Sequence, residues 1–158
     1  MREILDFRQR AAAYVLRRRP GLDVIEVLVI LHRDEPEAGV QVPGGGALPH
    51  ETVGEAALRE AVEETGVAGL AFGEALGNKL MRGPMYEHGH QVTTYCWLRT
   101  DDPRDAWDHT VVSHDEDAGL RMRCEFRPVG AAGIDFDMDR FLPLAAARFA
   151  AAYRVPVG

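Results

Sequence analysis

At 158 residues the chain has the length of one domain and can bury about two-thirds of its unfolded surface. Its 46% apolar and 27% charged residues are those of a soluble globular protein, and no apolar run reaches the ~20 residues that span a bilayer. A net charge of −7 argues against general nucleic-acid or membrane-surface binding, and it repels polyphosphates unless metal ions and local arginines mask the acids.

The chain opens on a short irregular arm through Phe7; MREILDFRQR has no apolar core of a signal peptide, which predicts a cytoplasmic protein. Gln9 to Arg18 is predicted as a strand with Ala11, Ala13, Val15 and Arg17 on one side. A turn at Arg19-Pro20-Gly21-Leu22-Asp23 leads into Val24 to Leu31, a β-branched run suited to a central strand buried on both faces. His32 to Gly39 reads as a charged loop and Val40 to Val42 as a short strand. Gly44, Gly45 and Gly46 then read as a glycine-rich turn. Thr52 followed three residues later by Glu55 is a capping box, and Gly66 suits the left-handed residue that ends a helix. One helix is therefore predicted between them.

After the helix, Ala68 to Met81 reads as an extended segment interrupted at Gly73 and Gly77. Arg82 to Glu87 is a loop, and Gln91 to Thr100, rich in β-branched and aromatic residues, is a strand. An acidic turn, Asp101 to Arg104, precedes a short strand at Trp107 to Val112. Ser113 to Gly119 is a polar loop, and Leu120 to Pro128 alternates as a strand with Leu120, Met122, Cys124 and Phe126 on one face. Met138 to Tyr153 is predicted helical, with Pro143 either in its first turns or marking a later start. Cys96 and Cys124 lack CxxC spacing and read as small buried thiols.

Within the predicted helix, Glu60, Glu63 and Glu64 fall within about 100° of one another at roughly 100° per residue. They extend a face that Val53, Ala56 and Ala57 direct toward the core. Like charges three and four apart repel by a few tenths of a kcal/mol per pair, and desolvation adds to that cost. A bound divalent cation removes both problems, and oxygen-only ligands suit Mg²⁺, Mn²⁺ or Ca²⁺ rather than Zn²⁺. The three glycines let a backbone approach a phosphate or a metal closely.

Glycine turn and helix together resemble the Nudix box, Gly-x5-Glu-x7-Arg-Glu-U-x-Glu-Glu-x-Gly-U, where U is a bulky apolar residue. Gly45, Glu51, Arg59-Glu60, Glu63-Glu64 and Gly66-Val67 occupy its positions. Ala61 is smaller than the usual residue at the first U, and His50 stands where many members have glycine. The resemblance implies an α/β/α sandwich with a mixed sheet between helices, as a single domain over 1–158. It implies Mg²⁺-dependent (or Mn²⁺-dependent) hydrolysis of a diphosphate bond in a nucleoside diphosphate linked to another moiety. The alternative is a Nudix-fold domain that senses a nucleotide or sugar nucleotide without cleaving it.

By the same resemblance Glu60, Glu63 and Glu64 are metal ligands, with the Gly44 carbonyl as a further one. Arg59 holds a box carboxylate in place. Glu51 either ties down the loop or touches metal, and Glu55 caps. The general base comes from the box, as Glu60 or Glu63, or from a distant loop, for which the candidate is Glu116. Gly45, Gly46, Tyr86 and Lys79, the only lysine, are the candidate substrate contacts. The expected partner is a small-molecule nucleotide, with a homodimer left open.

Overall fold

Strand β1 (Phe7–Arg18) fixes the layers of the fold, because both of its alternating sets of side chains are apolar. Ala11, Ala13 and Val15 enter one core, and Ala12, Tyr14 and Leu16 enter a second core on the opposite face. The computed structural model describes residues 7–19, 21–82, 89–113 and 116–153. The strand begins at Phe7, within the stretch predicted as an irregular arm.

Around β1 the sheet runs in the order β5 (Ala71–Met81), β6 (His90–Arg99), β1, β2 (Ile25–His32), β8 (Arg121–Pro128), β7 (Ala106–Thr110). Two short strands join off this path: β3 (Val40–Gln41) pairs with β2, and β4 (Gly44–Gly46) pairs with β1. The β1 and β6 strands are parallel, from Phe7 opposite His90 to Leu16 opposite Arg99. The other pairs are antiparallel. Helix α1 (Val53–Thr65) packs Ala56, Ala57 and Ala61 on one face, and helix α2 (Leu142–Ala152) packs Leu142, Ala145 and Phe149 on the other. The fold is thus α/β, a mixed sheet between two helices.

Gly44–Gly46 are a strand, whereas glycine's poor strand propensity points to a turn. The tertiary setting overrides that propensity. Arg10 lies opposite Gly46 and Ala12 opposite Gly44, and a Cβ on Gly45 would stand 2.5 Å from the Glu60 carboxyl carbon. Only bare backbone fits between β1 and the helix. Along the same edge of β1, residues 10–12 pair with β4 while residues 16–18 pair with β2. The sheet therefore parts between β2 and β4.

The second helix starts at Leu142, the later of the two options, with Pro143 in its first turn. A proline placed deeper in a helix would clash with the carbonyl four residues before it. Residues 136–141 instead form turns, with Phe136 and Asp137 both left-handed at φ 60° and 59°. Trp97 is buried edge-on against Phe149 and Tyr153 of this helix region. Cys96 and Cys124 are free and buried, and burial pushes their thiols up to about 11 and about 12. Arg17 is buried too, paired with Glu26 at 3.0 Å and lying 3.9 Å over the Phe126 ring. Among the described residues no helix is long and apolar enough to cross a membrane.

Candidate active site

Helix α1 is fixed at both ends by its own sequence. The Thr52 hydroxyl accepts from the Glu55 N–H at 3.1 Å, and the Glu55 carboxylate accepts from the Thr52 N–H at 3.1 Å. At the other end Gly66 adopts φ 66° and its N–H donates to the Val62 carbonyl at 2.8 Å. The Trp107 indole N–H donates to the Thr65 carbonyl at 2.5 Å, and the Val112 N–H to the Glu63 carbonyl at 3.2 Å. These bonds dock the C-terminal turn on β7 and the chain after it. The buried face of the helix reads Ala56, Ala57, Glu60, Ala61, Glu64, so two carboxylates continue the apolar stripe.

Arg59 ties this helix to the loop and the glycine strand. Its guanidinium makes a bidentate pair with Glu51 at 2.7 and 3.0 Å and donates to the Gly46 carbonyl at 2.9 Å. It also donates to Glu60 at 3.0 Å and Glu63 at 3.1 Å. Glu51 additionally accepts from the Leu48 N–H at 3.0 Å, which pins the loop before the helix. The Arg59 hydrogen bonds hold the Glu51 carboxyl below its ordinary range despite partial desolvation. His50, next to it, is left-handed at φ 71°, a conformation glycine adopts at less cost.

Glu60 and Glu64 are 7% and 9% exposed. Glu64 accepts from the Gly44 N–H at 3.0 Å, and its carboxyl lies beside that of Glu60. Burial raises the pKa of both, strongly for Glu64, where the neighbouring Glu60 and the more distant Asp117 add to the effect. Two desolvated carboxyls in contact need a shared proton or a cation between them. Alternation along β4 sends the Gly44 carbonyl to the same side as the Gly46 carbonyl, toward the helix. An all-oxygen donor set of this kind fits Mg²⁺ or Mn²⁺. Glu63 turns instead to Arg59, and among the described residues no three His, Cys, Asp or Glu side chains already converge on a metal position.

Where β2 and β4 part, a cleft of about 160 Å³ opens. Gly44 and Glu64 belong to its lining, together with Phe136, Met138, Arg10, Thr93, Lys79 and Tyr95. The register explains the row: Arg10 lies opposite Thr93 in β6, and Thr93 opposite Lys79 in β5. Lys79 pairs with Asp137 at 3.2 Å. Arg8, two residues before Arg10, brings its guanidinium against Gly46, 2.8 Å from where a Cβ there would sit.

The structure thus brings Gly44, Gly45, Gly46, Arg59, Glu60, Glu63, Glu64 and Lys79 to one region. Glu116 is exposed in the turn at 116–119, whose Asp117 contributes to the raised pKa of Glu64. Tyr86 and His88 lie outside the described residues, and so does Pro84. Trp107 is committed to Thr65 and to Arg104, whose guanidinium lies 4.0 Å over its ring. His90 stacks on Phe7, with ring centres 5.6 Å apart. Arg8, Arg10, Phe136 and Asp137 escape the sequence reading. For the arginines the period-two spacing on a strand was an available signal; for Phe136 and Asp137 neither residue type favours a left-handed backbone enough to stand out.

The family model described as NUDIX domain matches residues 7–144. No curated protein matches the chain by sequence. Among solved structures, a Caenorhabditis elegans Ap4A hydrolase binary complex is similar at TM-score 0.66 and 19% identity, over 92% of this chain and 99% of that one. The NUDIX domain of Shewanella oneidensis NrtR complexed with ADP ribose is similar at TM-score 0.63 and 16% identity, over 92% and 90%. A NUDIX-family hydrolase from Clostridium perfringens is similar at TM-score 0.60 and 13% identity, over 94% and 100%. At these identities the likeness is one of fold.

Proposed function

The chain belongs to the NUDIX domain family, and on that premise we propose that it is a metal-dependent pyrophosphohydrolase acting on a nucleoside diphosphate linked to another moiety. The observation that carries this reading is the contact of two buried carboxyls, Glu60 and Glu64, beside a strand of three glycines. Such a contact needs a shared proton or a cation between the two carboxyls, and a cation is the partner that a hydrolase would use. Glu60, Glu63, Glu64 and the Gly44 carbonyl would hold Mg²⁺ or Mn²⁺. When bound, such an ion neutralises phosphoryl charge and acidifies a coordinated water.

The chain's own residues supply the rest. Arg59 keeps Glu51, Glu60 and Glu63 in fixed rotamers, and a planar fork does this where a lysine could not. The Glu60 carboxyl fills the space over Gly45, and the Arg8 guanidinium lies against Gly46, where it can meet a phosphate. Arg10 and Lys79 carry positive charge to the cleft of an acidic protein. In the reaction water oxygen bonds to phosphorus, the bridging P–O bond breaks, and the water proton passes to a carboxylate. We assign that base to the box, Glu60 or Glu63, because Arg59 holds both beside the glycine strand.

A turnover screen with Mg²⁺ over nucleoside triphosphates, ADP-ribose, nucleotide sugars, dinucleoside polyphosphates and coenzyme A tests the reading. The expected products are a nucleoside monophosphate and a phosphorylated second moiety. Measurable nucleotide binding without turnover on any of them would favour the sensor reading, which the likeness to an NrtR domain complexed with ADP ribose also supports. In the same assay Glu64→Gln is expected to lower kcat by about 10²-fold or more. With EDTA present it should melt ~2–4 °C above wild type, since an amide carries no desolvated charge. Unchanged turnover would remove Glu64 from the metal set.

A further inference from the structure

Part of the cleft wall is built from a segment in an unfavourable conformation. Phe136 and Asp137 are consecutive left-handed residues at φ 60° and 59°, and neither is glycine. Such a conformation is costly, above all for a bulky side chain such as Phe136, and persists only where the surroundings enforce it. The surroundings are visible on both sides. The Asp135 N–H donates to the Val40 carbonyl and the Val40 N–H to the Asp135 carboxylate, each at 2.9 Å. Beyond the strained pair, the Tyr14 hydroxyl donates to the Met138 carbonyl at 2.5 Å and accepts from the Phe141 N–H at 3.2 Å. Asp137 itself is held by Lys79 at 3.2 Å and Arg140 at 2.6 Å.

What this scaffold presents is the Phe136 ring, 63% exposed. Its edge lies against Gly39, where a Cβ would meet it at 3.0 Å. Hydrophobic burial does not repay the strain, because the ring remains in water. Among the described residues, the other aromatics near the site have structural employment. Tyr95 is buried in the cleft floor between Tyr14 and Phe141, Trp97 packs under the second helix, and Trp107 holds the end of the first. Phe72, also exposed, sits over Gly54, and Phe7 over His90.

We propose that Phe136 is a specificity-determining residue, the platform on which the nucleobase of the substrate stacks, so that the cleft of Arg10, Thr93, Lys79, Tyr95 and Met138 is the nucleoside subsite. The inference rests on the nucleotide reading above and names which end of the substrate enters the cleft. A flat heterocycle gains from an exposed ring whatever its identity, and the Arg10–Thr93–Lys79 row, with Asp137 beside it, offers donors and an acceptor to its polar edge. The scissile diphosphate then points toward Gly44 and Glu64, which border the same cleft.

The test is equilibrium binding without metal, in EDTA, so that it does not depend on catalysis. AMP, GMP, CMP and UMP are titrated against ribose 5-phosphate as the probe that lacks a base. At least one nucleotide is expected to bind wild type about 10-fold or more tightly than ribose 5-phosphate. Phe136→Ala should erase that preference, Phe136→Trp should keep it, and both should melt as wild type does. With the substrate found in the turnover screen, Phe136→Ala should raise KM by a larger factor than it lowers kcat. Equal binding of nucleotides and ribose 5-phosphate to wild type would overturn the proposal, and so would a base preference that survives in Phe136→Ala. Base-dependent binding through Phe136 without turnover would leave this inference standing and remove the hydrolase reading. Turnover indifferent to Phe136 would do the reverse.

Discussion

Gly45 is the residue where the smallest change tells most. Its hydrogen faces the Glu60 carboxyl, and a methyl in its place would lie 2.5 Å from that carbon, well inside van der Waals contact. Because Glu60 sits at the end of a side chain with rotamers available, the clash moves the carboxyl rather than unfolding the strand. Gly45→Ala is therefore expected to lower Mg²⁺-dependent kcat by about 10²-fold while costing no more than ~1–3 kcal/mol in urea denaturation. A variant that keeps full turnover would show that Glu60 need not occupy this position. Glu51, by contrast, is committed three times over, twice to Arg59 and once to the Leu48 N–H. Its arrangement suits a tie between loop and helix.

At the scale of elements, one buried acid adds to the bonds that join the first helix to the sheet. Asp102 is 2% exposed; it accepts from the Ala68 N–H at 2.9 Å and from Arg104, which in turn donates to the Gly66 carbonyl at 3.1 Å. The Arg104 guanidinium holds the Asp102 carboxyl down to about 2. Its folded value lies below the unfolded one, near 3.9, so the stabilisation is complete above pH ~4 and is lost as pH falls toward 2. It amounts to about 2 kcal/mol. Asp102→Asn should flatten that part of an acid-denaturation profile, and an unchanged profile would place the acid sensitivity elsewhere. The helix itself was legible before any coordinates, because Thr52, Glu55 and Gly66 make local contacts that spacing specifies. The glycine strand was not, since its pairing with Arg10, Ala11 and Ala12 joins residues more than thirty apart, and propensity speaks only for neighbours. The same limit hid the cleft. Lys79 could be singled out by its rarity, but Arg10 and Phe136 acquire meaning only through register and backbone strain.

Over the whole molecule, Tyr14 joins the central strand to the wall of the cleft. Its hydroxyl bridges the Met138 carbonyl and the Phe141 N–H, and burial pushes its pKa well above the ordinary range, so it is neutral and can serve as donor and acceptor together. Tyr14→Phe leaves both backbone groups unpaired, which should cost about 1–3 kcal/mol and raise KM for nucleotide, because the strained segment loses an anchor. Lost stability with KM unchanged would separate that anchor from the substrate. The parallel pairing of the first strand with β6 has a consequence for how such a chain acquires its site. Arg10 meets Thr93 only after more than eighty residues of intervening chain have closed into a loop, an entropic cost that falls before most of the contacts that offset it. The first helix, with its caps and its glutamates, is specified within fifteen residues. The glutamate-bearing helix can therefore take shape early and the cleft only late, so a nascent chain passes through a stage with carboxylates in place and no pocket beside them.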